Sequence, residues 1–299
     1  MTDAIRKPDF FIVGAPKCGT TAMNDYLKQH PDIFIPDVKE LQFFGTDLDL
    51  VRPEMSREEY LSHFCSARNE KRIGEASVLY LCSERAAQEI KEFNPLAKII
   101  IMLRNPVDMI YALHSQLVYN GNEDITDFQA ALDAEDDRRR GLRIPHSATV
   151  IKVLFYQEMA EYSRQIKRYL DVFGKDQVHI IIYDDFKQDT AKVYRQALEF
   201  LQVDPNVQIN FNVINPNKTA RWPSLHKFMY SRRGSWIRTA VRRLFPRSII
   251  KYYKFLNRVY VQRQSMDPAL RKRLQRGLTP EVERLSELLG RDLTYWSRS

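Results

Sequence analysis

The chain has 299 residues, 44% apolar and 28% charged, with a net charge of +8. That composition excludes disorder as the main state, which needs few large apolar side chains. No run reaches the roughly 18 consecutive apolar residues of a membrane span, so no transmembrane segment is expected; the longest runs, such as residues 99–103, are strand-sized. The opening MTDAIRKPDFF lacks the ordered charged, apolar and cleavage regions of a secretory signal. Cys18, Cys65 and Cys82 are too few for a disulfide framework or a zinc cage, and a reduced, cytoplasmic setting is the expectation.

Taken in order, apolar runs predict strands at 10–14, 72–75, 98–103 and 179–183, short and rich in Ile or Val as central parallel strands tend to be. Helical periodicity predicts helices over 20–29, 57–64, 83–92, 107–119, 150–173 and 190–201, closing near 279–289. Alternating strands and helices imply an α/β fold, a parallel sheet flanked by helices. No repeat or Gly/Ser-rich linker divides the chain. It reads as a single domain over 1–299, with a core of about 8–217 and a basic helical C-terminal extension of about 218–299.

The charge is uneven. Between Lys218 and Arg276 there are 17 Lys or Arg against one acid, Asp267, while the rest of the chain holds 29 basic and 37 acidic residues. Apolar residues such as Trp236, Val241, Phe245, Ile249, Phe255 and Val259 are interleaved, the pattern of amphipathic helices. Such a region reads equally as a solvated helical face or as a landing surface for something anionic.

The first strand–loop–helix carries the chemistry. Phe10-Phe11-Ile12-Val13 runs into Gly14-Ala15-Pro16-Lys17-Cys18-Gly19-Thr20-Thr21 and then directly into a helical pattern. Two glycines in this context make a P-loop-type frame, in which backbone N–H groups curl around an anion at a helix N-terminus. A nucleotide-kinase loop places lysine after the second glycine; here Thr20 holds that slot and the lysine, Lys17, lies inside the loop. A magnesium anchor is arguable only at Asp184-Asp185. The loop therefore reads as shaped for an anion with no metal required, and a kinase is disfavoured.

These residues resemble the sulfotransferases that use 3′-phosphoadenosine 5′-phosphosulfate (PAPS). They are closest in look to the heparan-sulfate N-deacetylase/N-sulfotransferase-like and bacterial carbohydrate branch. The loop is similar to that family's 5′-phosphosulfate motif, and its helix ends near His30-Pro31-Asp32. Lys39-Glu40-Leu41-Gln42-Phe43-Phe44 is similar to the stretch holding the catalytic glutamate. Leu103-Arg104-Asn105-Pro106-Val107-Asp108 is similar to the 3′-phosphate motif, and the ending from Leu288 to Trp296 to that of bacterial members.

The resemblance implies sulfuryl transfer from PAPS to a hydroxyl or amine of an acceptor, expected to be a carbohydrate, with 3′,5′-bisphosphoadenosine (PAP) as product. It implies Lys17 at the leaving oxygen and Glu40 as general base. Pro16, Lys17, Cys18, Gly19, Thr20 and Thr21 would surround the 5′-phosphate. Arg104 would meet the 3′-phosphate, where the family's usual serine is replaced by Ala112. Ser115 takes that role, or a water does, or the contact is weaker. His114 reads either as a second acid/base group or as a structural helix histidine. Lys218 and Arg221 match a basic loop over the cofactor. Ser77 and Tyr80 read as cleft residues or as strand end and core; the family's lysine between Glu75 and Ser77 is here Ala76. No nucleic-acid partner is expected. The alternatives are a small-molecule kinase using Mg-ATP and a binder of anionic polymers through the basic region.

Overall fold

The computed structural model describes residues 6–50, 55–211 and 264–298, with the backbone of 218–220 and 258–260. Its centre is a five-stranded parallel sheet in the order β2-β3-β1-β4-β5. The strands are β1 (Phe10–Gly14), β2 (Ile33–Phe34), β3 (Arg72–Ala76), β4 (Lys98–Leu103) and β5 (Val178–Ile182). Residues 10–13 and 99–103 are fully buried, because helices cover both faces.

After β1, α1 (Thr20–Leu27) and α2 (Arg57–Ser62) precede β3, and α3 (Ala86–Phe93) precedes β4. Then come α4 (Pro106–Asn120), α5 (Phe128–Asp133), α6 (Glu135–Arg139), α7 (Tyr156–Met159) and α8 (Tyr162–Phe173). After β5 follow α9 (Tyr183–Gln188), α10 (Thr190–Leu201) and α11 (Pro268–Leu289). After β1 the chain lays β2 and β3 on one side of it and then crosses to β4 and β5 on the other. The carboxyl end of β1 is therefore the switch point at which open α/β sheets bind ligands.

The structure corrects several sequence expectations. The helix expected over 150–173 is broken: Phe155 and Glu161 leave helical geometry. The breaks are held by distant carboxylates, Glu135 accepting from the Gln157 N–H at 3.2 Å and Glu281 from the Ser163 N–H at 2.6 Å. Tyr183 opens α9 rather than closing β5. The last helix starts at an Asp267 cap, with Pro268 in its first turn, and runs through Pro280. In the basic region, Lys218–Ala220 (β6) pairs antiparallel with Arg258–Tyr260 (β7), where helix was expected. Residues 221–257 and 261–263 of that region, Trp236 and Phe245 among them, lie outside those described. No helix among the described residues is long and apolar enough to cross a membrane.

Candidate active site

The loop after β1 is clamped from both sides of the sheet. Ala15 N–H donates to Met102 O at 2.7 Å and Leu81 N–H to Val13 O at 2.8 Å. Gly14 admits this approach, since a Cβ there would lie 2.5 Å from that of Leu81. Gly19 caps α1 in the left-handed region (φ 90°), and a Cβ on it would meet the Tyr183 ring at 3.0 Å. No side chain caps α1. Its first-turn N–H groups have no intrahelical partner and carry the positive end of the dipole, which suits an anion.

Lys17, also left-handed (φ 63°), extends its ammonium to Gln116 Oε1 on α4 at 2.7 Å. Pro16 and Thr20 are buried and Thr21 half-buried. The Cys18 thiol is fully buried, bonded to Pro16 O at 3.4 Å and facing Tyr162 OH at 3.9 Å; burial pushes it up to about 12. Cys18 thus fills space beneath the loop, and any contact it makes with an anion falls to its backbone.

Glu40 comes to the same edge on the segment before Phe43-Phe44. Its N–H donates to Ala76 O at 2.9 Å, and its carboxylate accepts from Val78 N–H at 3.0 Å. Burial raises its carboxyl above the usual range, opposed by Lys39 at 3.8 Å and by that N–H. Lys39 in turn reaches Thr21 Oγ1 at 3.1 Å, and burial pulls its ammonium down. Glu40, Lys39 and the loop after β1 are therefore one connected cluster. Three non-glycine residues in left-handed geometry, Lys17, Glu40 and Gln42, converge here. Such geometry costs about 1–3 kcal/mol each and persists where surroundings over-determine it.

Arg104 follows β4. Its guanidinium lies 3.4 Å from the Asp108 carboxylate on α4 and over the Tyr183 ring at 5.2 Å. Asp108 also binds Arg271 of α11 at 2.9 Å, so two guanidinium groups share one carboxylate. Ser115 Oγ donates back to Tyr111 O at 2.9 Å, so its proton is committed within the helix. His114 is buried, its Nε2 at 2.9 Å from Ile125 O and its ring beside Phe128 and Tyr156. Burial lowers its pKa, and this packing is what the structural reading of a helix histidine expects.

Ser77 and Tyr80 are likewise buried behind the Glu40 segment and do not line a cleft. Lys218 is described only as backbone in β6, and Arg221 lies outside the described residues. The arguable magnesium anchor is engaged by the C-terminal segment. Asp184 accepts from Trp296 Nε1 at 2.7 Å and Tyr295 OH at 3.1 Å, and Asp185 pairs with Arg291 at 2.7 Å.

Sequence reasoning missed Lys39, Gln116 and Arg271. Lys39 had a signal in its adjacency to Glu40; the other two are joined to the site only by folding.

A family model described as the sulfotransferase domain matches residues 7–286. Among solved structures, a sulfotransferase from Alicyclobacillus acidocaldarius is 31% identical with a TM-score of 0.73, covering 97% of this chain and 99% of that one. Among curated proteins, carbohydrate sulfotransferase 15 of Mus musculus is 24% identical over 251 residues, 66% of this chain and 44% of that protein. The bifunctional heparan sulfate N-deacetylase/N-sulfotransferase 4 of Mus musculus is 29% identical over 216 residues, 67% of this chain and 23% of that protein. The chain spans less than half the length of these two curated relatives.

Proposed function

The chain belongs to the sulfotransferase domain family, and on that premise we propose that it carries a sulfuryl group from PAPS to a hydroxyl or amine of a carbohydrate, releasing PAP. The observation that carries the reading is the Thr21–Lys39–Glu40 cluster at the start of α1, which no side chain caps. There a carboxylate is held beside the groups suited to the donor's phosphosulfate. PAPS, when bound, supplies the sulfuryl group and the leaving phosphate.

The loop amides with Thr20 and Thr21 would hold the 5′-phosphate, and Arg104, with Arg271 nearby, the 3′-phosphate. Lys17 would leave Gln116 to meet charge growing on the departing oxygen, the kind of preorganised stabilisation that dominates many enzymes. Glu40 would take the acceptor's proton. Its raised carboxyl makes it a stronger base than a solvated glutamate, and the Val78 N–H aims it. The carbohydrate acceptor rests on the likeness to carbohydrate sulfotransferase 15 and to the heparan sulfate N-deacetylase/N-sulfotransferase. We read residues 1–299 as one sulfotransferase domain with its basic region as an extension.

The test begins with thermal shifts under PAP, and under ATP with magnesium, on wild type and Lys17→Ala. A ligand specific to the folded state at about 100 times its Kd stabilises by about 2.7 kcal/mol. Stabilisation by PAP without metal, weakened in Lys17→Ala, is expected; stabilisation by Mg-ATP alone would overturn the reading in favour of a kinase. Transfer of labelled sulfate from PAPS to N-deacetylated against N-acetylated heparosan then separates amine from hydroxyl acceptors. Absence of transfer to either would overturn the heparan-type acceptor.

A further inference from the structure

Glu75 ends up inside the molecule, 1% exposed at the end of β3, and the chemistry above makes no use of it. Its two oxygens accept three hydroxyls: Ser77 Oγ at 2.5 Å, Tyr60 OH at 2.8 Å, and Tyr80 OH at 2.9 and 3.2 Å. All three donors are fully buried. A hydroxyl has one proton to give and two lone pairs with which to accept. With the protons committed to Glu75, the lone pairs of Ser77 and Tyr80 face the other way, toward the segment that follows Glu40.

Three successive amides end there. Gln42 N–H donates to Ser77 Oγ at 3.0 Å, Phe43 N–H to Tyr80 OH at 2.9 Å, and Phe44 N–H to the same oxygen at 3.3 Å. Glu40 and Gln42 are left-handed (φ 61° and 51°), a geometry that side chains disfavour and that outside contacts must hold. An apolar core would satisfy neither those amides nor the hydroxyls. A buried carboxylate is costly unless hydrogen-bonded; here it sets the direction of every hydroxyl in the group.

We propose that Glu75 is a positioning residue for the reaction. Through the hydroxyls of Ser77 and Tyr80 it fixes the 42–44 backbone and thereby the placement of the Glu40 carboxylate. The proposal rests on the reading of Glu40 as the base. Tyr60 supplies an internal control: its hydroxyl binds the same carboxylate, while it meets the 42–44 segment through its ring, stacked on Phe43 with centroids 4.2 Å apart and edge-on to Phe44 at 5.6 Å, contacts that Tyr60→Phe keeps.

The experiment compares full-length wild type with Ser77→Ala, Tyr80→Phe, Glu75→Gln, Tyr60→Phe and Glu40→Gln. Three quantities are read: hydrogen exchange of the 42–44 amides, PAP affinity, and kcat and KM with PAPS and N-deacetylated heparosan. Expected for Ser77→Ala and Tyr80→Phe are 42–44 exchange faster by about tenfold, the scale of one hydrogen bond, and unchanged PAP affinity. Their kcat should fall between about tenfold and a hundredfold, the cost of a misplaced group. Glu75→Gln should do both, and Tyr60→Phe neither. Ser77→Ala and Tyr80→Phe decide the matter if Glu75→Gln does not fold. Wild-type exchange and kcat in both variants, or an equal loss in Tyr60→Phe, would overturn the positioning role. If only Glu40→Gln loses rate, the base assignment survives and the positioning role falls. A wild-type rate in Glu40→Gln would overturn both, whatever the exchange shows.

Discussion

Lys17 on the loop after β1 and Gln116 on α4, 99 positions apart in the chain, are joined by a 2.7 Å hydrogen bond across the carboxyl edge of the sheet. Gln116 is neutral, so this hydrogen bond holds the ammonium in place without itself cancelling charge. Lys17→Ala should lower turnover by about 10²–10³, the usual loss for one preorganised donor. Gln116→Ala should lower it less, since the cation survives. Single-turnover rates at saturating PAPS check the pair; equal losses would show that the tether matters more than the charge.

The base role proposed for Glu40 requires its ionised form, and burial raises its carboxyl above the usual range. The rate should therefore rise with pH along a limb displaced upward from that of a solvated glutamate. Glu40→Gln should remove the limb and cost about 10²–10⁴ in rate, while PAP affinity stays unchanged. A pH–rate profile of kcat/KM, with PAP titration alongside, tests it.

Arg104 and Ser115, both expected at the proposed 3′-phosphate site, differ in the structure. Arg104 is held only loosely by Asp108, at 3.4 Å, whereas the Ser115 proton is spent on Tyr111 O. Arg104→Ala should weaken PAP by about 1.5–3 kcal/mol, the range for a charged hydrogen bond. Ser115→Ala should leave affinity where it was. Calorimetric titration of both variants settles whether Ser115 replaces the family serine.

Glu135, 1% exposed, has its carboxyl pushed up to about 7 by burial. A carboxyl raised in the folded state favours folding fully below its unfolded value, and that contribution is lost as pH rises through about 7. Glu135→Gln should therefore stabilise the protein at pH ~8 by up to about 3 kcal/mol, at 1.36 kcal/mol per pH unit. The gain should vanish near pH ~5. Urea unfolding at both values tests this; a gain equal at both would overturn it.

The sheet was legible because central parallel strands, buried on both faces, read as unbroken apolar runs, as 98–103 does. The strand–loop–helix junction after β1 was legible because Gly14 and Gly19 leave a local mark there. β2, two residues long, leaves no such mark. The breaks around Phe155 and Glu161 depend on carboxylates that arrive from elsewhere in the chain. Arg271 reaches Asp108 across 163 positions and Gln116 reaches Lys17 across 99, so local pattern could assign neither. Glu75, a lone acid at a strand end, is indistinguishable in sequence from a solvated one until its hydroxyl partners are seen.

The attachment of the C-terminal segment has a kinetic consequence. Asn105 Nδ2 donates to Trp296 O across 191 positions, and Trp296 Nε1 to Asp184 across 112. Contacts so remote close late, because loop entropy must be lost before they return anything. Refolding should thus form the sheet first and seal the edge beside Arg104 last. In a stopped-flow experiment, Trp296 fluorescence would trail the burial of the strands, and PAP would be captured only in the slower phase.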